Sequence, residues 1–197
     1  MANAALQLQR QVDLATHASL TETVLDVLAR IRAVHRDSGP LMLATARLAR
    51  SAGRFQEALD IALTYEREYP DMLAALAAAN AYRSMGDVPA ALTAYHRALA
   101  REPGNLPVWN DIGDMRWEHE REAEALEAYE KVLAHQPAHP WALPSALLLR
   151  AQVKKDVTLL REFQRYAQAH PENPRANELH RRLMAPGATP PPSNWRG

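Results

Sequence analysis

The side chains that bear most on chemistry in this chain are its histidines, carboxylates, serines and arginines. It has no cysteine, and therefore no thiolate nucleophile, thiolate metal site or disulfide. The eight histidines are scattered, and only His135 and His139 are close. An i, i+4 pair puts two imidazoles on one helix face and can hold a metal ion, but Pro137 between them breaks that helix. His119-Glu120 sits in a charged turn without a second histidine. There is no Gly-rich phosphate loop, no HExxH, no GxSxG, and no Ser, His and Asp set on a recognisable scaffold. No metal, no cofactor and no enzymatic activity are expected. The remaining chemistry is that of recognition. Arginine offers a planar fork for carboxylate or phosphate, asparagine a paired donor and acceptor, and tryptophan a large rigid contact.

The elements that would carry such residues are helices. Apolar side chains recur at three- and four-residue spacing, as in Leu126, Tyr129, Val132 and Leu133, with charged positions between them. Strand alternation is absent. Pro103, Pro137 and Pro171 follow one another at intervals of 34 residues, and each closes a helical stretch, because a proline pushes the preceding residue out of the α region. Aligned on that period, Met72 to Asn105 and Leu106 to His139 agree where packing is tightest: Ala91 matches Ala125, Tyr95 matches Tyr129 and Leu99 matches Leu133. A fixed period of this length marks an array of one small unit, an architecture that binds far more often than it catalyses.

The frame extends both ways. Residues 39–71 form a further unit, one residue shorter, with Gly53, Ala58 and Tyr65 in the turn, small and aromatic places and Pro70 as its stop. Gly53 and Gly86 supply turns that need positive φ, and the charged run Glu118 to Glu122 stands in that place in the next unit. Residues 5–38 fit loosely as a degenerate unit, with Ser19 and Glu22 as a capping box and Val24, Leu28 and Ile31 on one face. Residues 140–173 keep the length but have Lys154, Lys155 and Asp156 at the turn. Asn173 and Pro174 read as the cap and first residue of a closing helix over 174–184, whose Ala176, Leu179 and Leu183 would cover the last unit. Residues 185–197 are a Pro-rich tail expected to be disordered.

On these residues the chain resembles the tetratricopeptide repeat family over roughly 5–184, most closely across Met72 to His139. The resemblance implies an all-α, right-handed superhelical solenoid of antiparallel helix pairs with a C-terminal capping helix, the first helix of each pair lining a concave groove. Family members are mostly scaffolds that hold a peptide or a partner helix. Carried onto this frame, the groove positions are Arg47, Arg50, Leu76, Asn80, Arg83, Asn110, Asp114, Trp117 and Trp141, with Trp109 at the family's core aromatic place and Trp195 in the tail. The guanidinium groups lie toward the N-terminal side of that row, the carboxylates toward the C-terminal side. The family's chaperone-tail clamp needs lysines and asparagines at set places. Here those places hold Leu43, Arg47, Ala77, Pro107 and Asp111, or, one unit later, Leu76, Asn80, Asp111, Trp141 and Ser145, so that ligand is disfavoured.

Composition sets further bounds. The formal net charge is zero, which speaks against nucleic acid or an acidic membrane as a general partner. Charge is uneven along the chain, however. Residues 106–139 carry three basic against eight acidic side chains, and residues 140–197 nine against four. Unlike ends of this kind would suit a homo-oligomer or a self-assembling structural adaptor, one alternative to a scaffold for a protein or peptide partner. Another is an accessory or regulatory subunit of a transferase or biosynthetic enzyme. No secretory signal opens the sequence and no stretch is long and apolar enough to cross a membrane, so a cytoplasmic protein is expected. Only three of the 23 basic residues are lysine, a usage that hints at a GC-rich bacterial genome.

Overall fold

A computed structural model of the chain describes residues 22–24, 26, 29 and 39–185. Most of the degenerate unit at 5–38, including Ser19, Leu28 and Ile31, and the tail from 186 with Trp195 lie outside the described residues. Beyond the helical residues among 22–29, nine helices are described: α1 (Gly39–Ser51), α2 (Phe55–Glu68), α3 (Met72–Met85), α4 (Val88–Arg101), α5 (Leu106–Glu118), α6 (Glu122–His135), α7 (Ala142–Lys154), α8 (Val157–Ala169) and α9 (Pro174–Leu183). There is no strand among the described residues. The chain divides into two compact halves, Met1–Pro103 and Gly104–Gly197.

Side-chain caps mark where five of the helices start. The Asp71 carboxylate accepts from Ala74 N at 2.8 Å, Asp87 from Ala90 N at 3.1 Å and Asn105 from Val108 N at 3.2 Å. Asp156 accepts from Thr158 N at 2.7 Å, and Asn173 from Ala176 N at 3.0 Å. Each cap satisfies an amide that the first turn leaves without a partner. Pro89, Pro107 and Pro174 sit in the first two helical positions, where a missing N–H costs nothing.

Each of the four described turns inside a helix pair uses one left-handed residue. Gly53 and Gly86 take φ of 77° and 79°, and Glu120 and Lys155 take 59° and 53° at the corresponding places. The charged runs that replace the glycine in the last two pairs therefore keep its backbone conformation, although a Cβ makes that conformation costly.

In the first half, Met42, Ala46, Ile61, Tyr65 and Ala74 form one apolar cluster against Leu43 and Tyr69. Helix α3 is alanine-lined, with Ala74, Ala75, Ala78, Ala79 and Ala81 buried, so neighbouring backbones can approach closely. Tyr65 departs from the sequence frame. The place of Tyr95 is taken in this shorter unit by the buried Ala62. Tyr65, three residues further on, donates its hydroxyl to Asp71 at 2.9 Å, the cap of α3. Val24 is 46% exposed and covers little, while Glu22 forms an ion pair with Arg54 at 3.1 Å.

In the second half, Ala125, Tyr129, Val132, Ala142, Ala146 and Leu149 pack beneath Trp109 and Trp117. A second cluster joins Leu147, Leu148, Ala151, Leu160, Phe163 and Ala167 to Ala176 and Leu179 of α9. Helix α9 thus caps α7 and α8. Its attachment is polar as well as apolar, since the Asn173 amide donates to the Pro140 carbonyl at 2.9 Å.

Candidate partner-binding site

The sequence-derived groove residues fall into the two halves, and the halves treat them differently. In the first half Arg47, Arg50, Leu76 and Asn80 come together. With Leu43, Ala46, Ala58, Leu73 and Ala77 they line one pocket of about 150 Å³ between α1 and α3. Its floor is aliphatic, and Leu73 stands 48% exposed at its edge. Arg47 is exposed and Arg50 half-buried, and neither guanidinium meets a carboxylate among the described residues. Other arginines of this half do. Arg54 pairs with Glu22 and Glu57, and Arg97 and Arg101 both reach Glu66.

Asn80 is fixed from behind. The Tyr95 hydroxyl of α4 donates to Asn80 Oδ1 at 2.9 Å, leaving the two amide N–H groups of Asn80 as donors without a partner among the described residues. Arg83, one turn further along α3, is already engaged and does not line the pocket.

One period later the same bond recurs with a different outcome. The Tyr129 hydroxyl of α6 donates to Asp114 Oδ1 at 2.5 Å. Burial, followed by the charge of Asp114, drives the Tyr129 phenol well above its usual pKa, so it remains a donor at all ordinary pH. Gly113 makes the approach feasible, because a Cβ there would lie 2.9 Å from the Tyr129 ring. Asp114 then accepts from Trp141 Nε1 at 3.1 and 3.0 Å to its two oxygens and from Arg175 Nη2 at 2.9 Å.

Arg175 belongs to α9, yet it completes this cluster. Its Nε donates to Ser145 Oγ at 3.0 Å and its Nη1 to Glu178 at 3.3 Å. Its guanidinium lies 4.4 Å from the centroid of Trp141 and 5.3 Å from that of Trp117, a cation held against two aromatic faces. Trp117 in turn packs edge-on to Tyr129 at 6.3 Å. The side chain of Arg175 is 9% exposed and that of Asp114 16%. Asp114, Trp117 and Trp141 are therefore brought together, and a cation of the chain itself already lies against them.

Asn110, the remaining residue of the set, faces His139 Nε2 at 3.3 Å. His139 Nδ1 accepts from the backbone N–H groups of Trp141 and Ala142 at 3.3 and 3.2 Å, and backbone amides can only donate. The ring proton is therefore on Nε2, and the Asn110 end that suits it is the carbonyl oxygen. Turning the side-chain amide over supplies that acceptor and gives a partner to an oxygen otherwise buried without one. Burial lowers the pKa of His139 below the usual 6.5, in keeping with an acceptor role for Nδ1.

Sequence reasoning missed Arg175, Tyr95, Tyr129, His139 and Ser145. Two signals were present. Tyr95 and Tyr129 each follow a polar first-helix residue, Asn80 or Asp114, at a separation of 15. Arg175 stands in the first turn of α9, where the helix dipole disfavours a cation, so a compensating partner was to be expected.

Residues 76–140 match the family model described as tetratricopeptide repeat. No curated protein matches the sequence. Among solved structures the fold is similar to MamA, at 17% identity and a TM-score of 0.61 over 90% of this chain and 93% of that one. It is also similar to YrrB, whose crystal structure is described as that of a tetratricopeptide protein with an unusual peptide-binding site, at 14% identity and a TM-score of 0.61 over 86% and 88% of the two chains. A thermophilic tetratricopeptide protein of Thermus thermophilus, TTC0263, aligns at 18% identity and a TM-score of 0.54, over 73% and 89%. With the recurring helix pairs, the left-handed turn residue of each described pair and the period of 34 between Asn80 and Asp114, residues 76–140 are tetratricopeptide repeats, and the described residues share the all-α fold of tetratricopeptide solenoids.

Proposed function

We propose that this chain is a non-catalytic interaction module whose partner is a protein, held through a peptide segment in the α1/α3 pocket. The repeats taken as units are 39–71, 72–105, 106–139 and 140–173, closed by the helix over 174–184. The observation that carries the reading is the contrast between the halves. Arg47, Arg50 and the amide donors of Asn80 surround an aliphatic floor without partners of their own among the described residues, whereas Asp114, Trp117 and Trp141 are engaged by Arg175. Unpaired guanidinium beside exposed leucine is what a ligand can use, since an occupied charge has little further to gain. That YrrB is described as having a peptide-binding site is consistent with the fold serving this purpose.

The test is affinity capture from lysate of the source cells with three immobilised chains. Wild type and Asp114→Asn should retain the same protein, and Arg47→Ala/Arg50→Ala should lose it. A partner retained equally by all three would move the binding surface away from this pocket.

A further inference from the structure

The two walls of the α1/α3 pocket differ in chemistry, and their spacing specifies a pattern in the ligand. Arg47 and Arg50 stand three residues apart on α1, and Leu73 and Leu76 three apart on α3. Side chains at i and i+3 on a helix are about 5–6 Å apart. In an extended peptide, residues i and i+2 point to the same side about 6.7 Å apart, and residue i+1 points to the other. An extended segment lying between the helices can thus meet both guanidinium groups with one edge and both leucines with the other. Its backbone carbonyls would be available to the amide donors of Asn80, which meet no partner among the described residues.

We infer that the pocket selects an extended peptide in which acidic and aliphatic residues alternate, the carboxylates on Arg47 and Arg50 and the aliphatic side chains on Leu73 and Leu76. This rests on the reading of the pocket as a peptide site and adds the order of residues in the ligand. Charge complementarity fixes the acidic edge, because no carboxylate of the described residues neutralises those two guanidinium groups. The exposed Leu73 fixes the aliphatic edge. A nucleic-acid strand would satisfy the arginines but would leave its polar bases on a leucine wall that offers no ring to stack on.

Fluorescence anisotropy with three labelled octapeptides tests this: alternating Glu-Leu, the same composition arranged in blocks of two Glu and two Leu, and alternating Lys-Leu. The full chain should bind the alternating acidic peptide at least tenfold more tightly than the blocked one and should leave the Lys-Leu peptide unbound. Arg47→Glu/Arg50→Glu should weaken the complex tenfold or more, Leu73→Gln several-fold, and higher salt should weaken it as well. Both sets of side chains reach solvent, and circular dichroism melts confirm that the variants fold. Equal binding of the blocked peptide, still abolished by Arg47→Glu/Arg50→Glu, would overturn the alternation and leave the peptide site standing. No binding of either acidic peptide, or displacement by oligothymidylate, would overturn the ligand class. A partner nevertheless captured through Arg47 and Arg50 in the lysate experiment would show that the module reading survives.

Discussion

Arg175 occupies a helix position that works against its charge, and the compensation comes from Asp114, 61 residues away in sequence. Removing one member of a buried pair strands the other. Arg175→Met should therefore cost about 2–4 kcal/mol in urea titrations, although methionine retains much of the packing on Trp117 and Trp141. Combining it with Asp114→Asn should cost less than the sum of the single changes, the coupling expected of contacting residues. Additive costs would show that the pair stabilises nothing beyond its packing. His139 gives a pH signature. Its folded pKa is depressed, so the unfolded chain binds the proton more readily, and stability rises with pH wherever that holds. The contribution is complete above the unfolded value of 6.5 and is lost as pH falls from there through the lowered folded value. Urea midpoints measured from pH 7.5 to 5 should fall in wild type and fall less in His139→Asn, whose side chain can accept the same amides without titrating.

At the scale of the element, the helix pairs and their period were legible because each repeat builds its core from neighbours in sequence, so apolar spacing and proline stops record it directly. The left-handed turns at Glu120 and Lys155 were not, since a charged residue forced into that conformation leaves no mark in composition. The structure turns them into a prediction. Glu120→Gly and Lys155→Gly should each stabilise the chain by about 0.5–1 kcal/mol, the relief of Cβ strain partly offset by the entropy of glycine in the unfolded chain. Thermal melts would reveal it, and a loss of stability would mean that those side chains make contacts worth more than the strain. Gly113 carries the opposite expectation. Gly113→Ala places a Cβ 2.9 Å from Tyr129 and should cost about 1–3 kcal/mol, with loss of the hydroxyl bond to Asp114. The candidate site was less legible than the helices. Arg47, Arg50, Leu76 and Asn80 share a pocket, and they could be picked out because the frame carried over from the resemblance names one face of each first helix. It is silent on what stands opposite, and so the closure of Asp114, Trp117 and Trp141 by α9 could not be read from it.

Over the whole molecule, the acidic stretch at 106–139 and the basic stretch that follows suggested attraction between copies, but part of that charge is spent within the second half. Glu130 pairs with Arg150 at 3.3 Å and Asp114 with Arg175 at 2.9 Å, so the basic C-terminal helices are held to the acidic ones. Deleting α9 by ending the chain before Asn173 should uncover Leu160, Phe163 and Ala151 together with the Trp117 and Trp141 faces. A loss of about 3 kcal/mol or more is expected, visible as an earlier melt and new binding of a hydrophobic dye.

The placement of the aromatic rings has an optical consequence. All four tryptophans lie at position 109 or later, whereas four of the six tyrosines, Tyr65, Tyr69, Tyr82 and Tyr95, precede Pro103. Indole emission therefore reports on the second half, and the guanidinium resting on Trp117 and Trp141 makes it a gauge of whether the closing helix is seated. A peptide in the α1/α3 pocket should leave that emission unchanged while it perturbs the tyrosine signal. The chain thus carries two spectroscopic channels that separate occupancy of one half from unfolding of the other without any added label.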